Sequence, residues 1–107
     1  MDEVTVIRAI VDGCLGPRSF LVQFHSLNTF DVHRYHQLVR NLTAYRDILG
    51  DRDTVNRQVA GCLFAILEEF ENHLAAHTED YPAQEQKRQI EDSHAEIWEL
   101  VNDILRV

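Results

Sequence analysis

The sequence predicts an all-α fold, an up-down four-helix bundle whose N-terminal element is broken in two. Apolar residues recur at spacings of three and four from Val4 to Ile104, and no stretch longer than a few residues keeps the period of two that a half-buried strand requires. Three long periodic stretches are separated by short breaks at Gly50 and at Tyr81-Pro82, and short connections make antiparallel neighbours. Gly13, Gly16 and Pro17 interrupt a further periodic stretch near the N-terminus.

The first helix is expected over residues 3 to 14, with Val4, Ile7, Val11 and Cys14 at helical spacing. Pro17 suits a first helical turn, so a short helix restarts over 17 to 27 with Phe20, Phe24 and Leu27 inward. Asn28, Thr29 or Asp31 caps a third helix that carries Tyr35, Leu38, Leu42, Tyr45 and Leu49 on one stripe and stops at Gly50. Asp53 or Thr54 then caps a long helix of about 26 residues with the seam Val55, Val59, Ile66, Phe70, His73 and His77. The last helix runs from Ala83 to Arg106 with Ile90, His94, Ile97, Val101 and Ile104 inward, and Trp98 is expected at the edge of the core, with a subunit contact as the alternative.

At 107 residues, 45% of them hydrophobic and 26% charged, the chain forms a single domain over 1–107 with one core. A formal charge of -8, with the ten Lys and Arg scattered, argues against nucleic-acid binding, which needs clustered cations. An excess of acids is most often simply a solvated surface, with nucleic-acid mimicry or docking on a basic protein as the alternatives, and a homodimer or a protein partner is the expected assembly. The longest apolar stretch, Ala60 to Leu67, is too short to span a bilayer, and acids stand where a secretory signal carries bases, so a cytoplasmic, membrane-free protein is expected. Cys14 and Cys62 lack CxxC spacing and lie in apolar helical stretches, which predicts buried free thiols.

The six histidines fall into two groups. On a wheel of about 100° per residue, His73 and His77 lie within roughly 40° of the seam of their helix, and His94 sits among Ile90, Ile97 and Val101. His33 and His36 fall on the far side of theirs, and His25 flanks its stripe. With a turn near residue 82, His73 and His94 come to levels about 4.5 Å apart on antiparallel helices, and the lean of each side chain toward its helix N-terminus brings the rings together. Two imidazoles at i and i+4 and a third from a facing helix suit a transition metal, with Glu69 and Glu91 at the margins of the seams as carboxylate partners. The alternative reading of the same residues is a metal-free bundle whose histidines are core residues hydrogen-bonded within the fold.

The stretches VHRYHQLVRNL, FENHLAAHTEDYP and EDSHAEIWELVNDIL, over Val32 to Leu105, resemble the hemerythrin-like, HHE cation-binding family. The resemblance implies a four-helix bundle with an iron site held by His73, His77, His94 and His36 or His33, acting in sensing or storage. The family's bridging glutamate falls at His77, so what is implied is a single-metal or metal-free derivative, with iron or zinc as the cofactor. No Gly-rich phosphate loop, GxSxG elbow, HExxH or CxxC pair is present, and the chain reads as a binding protein rather than an enzyme.

Overall fold

The computed structural model describes residues 2–27, 29–76 and 84–106. They form five helices: α1 (Glu3–Leu15), α2 (Phe20–Leu27), α3 (Val32–Leu49), α4 (Arg57–Ala76) and α5 (Gln84–Leu105). No strand occurs among the described residues. Helix α1 packs on α3 and α4, and α5 packs on the same two, while α3 and α4 face each other across the core and meet through side chains, as Tyr35 and Phe70 do. The order around the bundle is therefore α1, α3, α5, α4, with α2 folded over one end of α1 as the second half of the broken element.

Local chemistry sets the helix boundaries. The Asp2 carboxylate accepts from the Thr5 N–H at 2.7 Å and caps α1. At the far end Gly16 donates its N–H to the Asp12 carbonyl, and a Cβ there would stand 2.7 Å from that oxygen, so only glycine fits. Pro17 lies in the turn rather than in α2, and the Ser19 hydroxyl, buried, accepts from the Val22 N–H to start the short helix. Of the three expected caps of α3, Asp31 is the one used, accepting from Arg34 N–H at 3.1 Å.

Helix α4 corrects the sequence reading at its start. Asp53 and Thr54 are exposed, and Asn56 does the capping, its Oδ1 accepting from the N–H groups of Gln58 and Val59. The Asn56 N–H in turn donates to the Tyr45 hydroxyl at 2.9 Å, which ties this cap to the core of α3. The expected extension of α4 through His77 lies outside the described residues.

One core runs the length of the bundle. The predicted stripe of α3 is buried in full, as are Val59, Ile66, Phe70 and His73 of α4 and Ile90, Ile97, Val101 and Ile104 of α5. Helix α1 differs: Val6, Ile10 and Cys14 are buried, Ile7 and Val11 are at the margin, and Val4 is in solvent. Leu27, expected inward, is exposed at the last position of α2. At the α2 end the core is aromatic, with Phe20, Phe30 and Phe70 in ring contact with one another and with both Phe24 and Tyr35.

Cys14 and Cys62 are buried free thiols, as their surroundings in the sequence predict, and α1 and α4 bring them together. A hydrogen bond between the two sulfurs, with burial behind it, holds the Cys14 thiol well above the ordinary range, and the same bond draws Cys62 down. At the opposite end from the aromatic cluster, arginines clamp the α3–α4 turn. Arg52 reaches Glu3 of α1 at 3.2 Å, and Arg106 donates to the carbonyls of Gly50 and Asp51.

Candidate functional site

Two of the four expected metal ligands, His73 and His94, lie at the aromatic end of the core, with Phe24 and Phe70 between their rings. The His73 ring, 6% exposed, lies on Phe24 with centroids 4.2 Å apart and planes 18° from parallel. The His94 ring lies on Phe70 at 5.9 Å and 24°, and Phe70 contacts Phe24 at 5.2 Å. The two imidazoles thus flank a pair of phenylalanines. The His94 Nε2 is buried and makes no hydrogen bond among the described residues, an uncommon state for a buried nitrogen.

The other expected ligands are placed elsewhere. His36 is exposed on α3 and lines a groove against α5 with Asp92, Ser93 and Glu96. His33 is exposed beside Gln37. Glu69 is engaged by His25 of α2 at 2.8 Å, and Glu91 pairs with Lys87 at 3.9 Å. His77 lies outside the described residues. Among the described residues no three His, Cys, Asp or Glu are arranged to hold a metal ion.

In the α3–α5 groove the Tyr35 hydroxyl donates to Glu96 Oε1 at 2.5 Å and stands 3.2 Å from the Ser93 carbonyl. Burial, then the bond to Glu96, pushes this phenol above the ordinary tyrosine range. A phenol so held stays protonated at neutral pH and fixes α3 to α5. It is a structural bond rather than a proton-transfer device.

A second site lies on the outer surface of α4 and α5. The Phe70–His94 contact pairs the antiparallel helices at that level, and Trp98 lies four residues on from His94 as Phe64 lies six residues before Phe70, so both stand on the same side of that contact, one to two turns along. On α4, Cys62 and Glu69 face α1 and α2, and Phe64 falls roughly 140° to 160° round the helix from them, on the other flank. On α5, Glu96 faces α3, and Trp98 lies about 160° from it, on the α4 side. Both rings border the α4–α5 seam from outside, Phe64 62% exposed and Trp98 49%. Trp98 is thus more exposed than the core-edge position expected of it.

The rim of this aromatic pair is acidic. Glu68 and Glu71 follow Phe64 one and two turns on, and Glu91, which pairs with Lys87, precedes Trp98 by two turns; all three are exposed. Periodicity alone does not find this site, because it reads Phe64 as part of the apolar stretch Ala60 to Leu67. The available signal was the outward line Arg57, Gly61, Phe64, Glu68, Glu71, in which Phe64 is the one large apolar member.

No helix among the described residues is long and apolar enough to cross a membrane. No protein-family model, curated protein or solved structure matches this chain.

Proposed function

We propose that the chain is a non-catalytic helical interaction module whose α4–α5 face takes a basic, amphipathic helical segment of another protein. The observation that carries this reading is the joint exposure of Phe64 and Trp98 across one seam inside an acidic rim. Exposed aromatic side chains standing together are the usual anchors of an interface, and the charges around them select the partner. A second copy of this chain, at a formal charge of -8, would bring acid against acid. A Lys-rich helix with apolar residues at i, i+3 and i+4 meets both the rings and the rim. Two buried free thiols with no disulfide framework support a reducing compartment, the cytoplasm, as the place where it acts.

Trp98, the single tryptophan, reports on this face directly. A synthetic Lys/Leu helical peptide is expected to blue-shift its emission saturably, with an affinity that falls as salt rises. Phe64→Ser keeps the charge and is expected to weaken binding about tenfold or more. Unchanged affinity in Phe64→Ser would remove the face from the reading, and a dimer in light scattering that Phe64→Ser dissolves would replace the basic partner by a second copy.

A transition-metal site of the hemerythrin-like kind, holding iron or zinc through His73, His77 and His94, is a second reading. It is favoured by the buried His94 Nε2, whose lone pair meets no donor among the described residues. His36, exposed in another groove, takes no part in it. Elemental analysis of untagged protein purified without chelator tests it: near-stoichiometric metal lost in both His73→Ala and His94→Ala supports the site, and no metal even after reconstitution ends it.

A further inference from the structure

The groove between α1 and α3, on the side of the bundle away from the aromatic face, carries charge of the opposite sign. Its volume is about 760 Å³, within the range of small-molecule sites, and Arg18, Arg34 and Arg40 line it against a single acid, Asp12. Three of the ten cations of a strongly acidic chain therefore face one cleft. Arg46, Arg52, Lys87 and Arg106 each reach an acid, whereas Arg18 and Arg40 are exposed and form no ion pair among the described residues. Arg34 pairs with Asp31 at 3.4 Å, at the start of its own helix.

The α1 wall supplies a second, independent observation. Gly13 sits inside a helix, where glycine weakens the backbone relative to alanine. Neither packing nor conformation demands it: its φ is not in the left-handed region, and a Cβ would meet Leu38 Cδ1 at an ordinary 3.5 Å. The missing side chain keeps the cleft wide next to the arginines. Gln37 and Asn41, one turn apart on the opposite wall, add uncharged hydrogen-bonding groups.

We propose that this groove binds a small, multiply charged oxyanion, a phosphorylated or polycarboxylate metabolite, through the guanidinium groups of Arg18, Arg34 and Arg40. Guanidinium forks pair bidentately with phosphate and carboxylate oxygens, and several forks around one cleft favour a ligand with more than one charged group. The site is separate from Phe64 and Trp98 and does not depend on the partner proposed for them.

Calorimetric titration of the full chain with inorganic pyrophosphate and, separately, with citrate tests the proposal. Saturable binding of at least one is expected, falling about tenfold or more in Arg18→Gln/Arg40→Gln. Gly13→Ala is expected to melt higher and yet bind more weakly, an opposition that loss of folding cannot produce. Phe64→Ser binds as the parent does. Preference for pyrophosphate or for citrate identifies the ligand as phosphate or carboxylate. No saturable heat with either anion, or equal affinity in the double arginine variant, overturns the proposal; so does binding of a poly-glutamate peptide when both small anions fail, which would make the groove a docking site for acidic chain.

Discussion

Tyr35 shows how one side chain links burial, hydrogen bonding and pH. Its hydroxyl joins α3 to Glu96 and Ser93 of α5. Because the folded phenol titrates above its ordinary value of 10.0, the stabilisation is complete below that value and is lost as pH rises from there toward the folded pKa. Tyr35→Phe is expected to cost about 1 kcal/mol at neutral pH and to flatten the alkaline loss of stability, as read by urea unfolding across that range. His94 gives the opposite expectation. Its Nε2 has no partner among the described residues, so His94→Leu should melt at or above the parent temperature in metal-free protein. A loss beyond about 2 kcal/mol would mean that the nitrogen is bonded after all. Both inward histidines of the described core, His73 and His94, were legible from the sequence because helical phase alone decides which way they point. Whether a third ligand joins them is a matter of partners, which phase does not report.

Among the elements, legibility followed how narrow an arc the apolar residues cover. The stripe of α3 was readable in full because its apolar residues define a single direction. In α1 the apolar set Val4, Val6, Ile7, Ile10, Val11 and Cys14 spreads over a wide arc, and two stripes fit it. Packing between α3 and α4 selects the one through Val6 and Ile10 and leaves Val4 outside. Caps were legible as candidates only, since Asp, Asn, Ser and Thr compete at each helix start and geometry chooses. Asn56→Ala is therefore expected to destabilise by about 1 kcal/mol, while Thr54→Ala stays near neutral. Equal effects of the two in thermal melts would return the cap to the position that sequence favoured. The Cys14–Cys62 contact and the arginine groove were beyond reach for a different reason: each joins residues from separate helices, and no local pattern encodes that meeting.

The whole molecule keeps two polar faces apart by keeping one core continuous. Helices α1 and α2 are the arrangement's keystone, since α1 packs on both α3 and α4, which otherwise meet only across the core, and α2 closes the aromatic end. Together they contribute Val6, Ile10, Cys14, Phe20, Leu21 and Phe24 to the single core. Removing them would open one flank of Leu38, Leu42, Leu63, Phe70 and His73 to water and leave α3 and α4 joined on that side by little more than Tyr35 and Phe70. A chain beginning at Thr29 is thus expected to keep far-UV helicity while losing near-UV ellipticity and binding a hydrophobic dye. The full chain, with no second core to melt separately, is expected to unfold in one urea transition seen alike by far-UV signal and Trp98 fluorescence. If the shortened chain unfolds cooperatively instead, the stable unit is the α3–α4–α5 group, and α1 and α2 are an appendage. The arginine groove, half of which α1 and its following turn supply, would then be absent from a protein that still folds, while the Phe64–Trp98 face on α4 and α5 would remain and still bind the basic peptide.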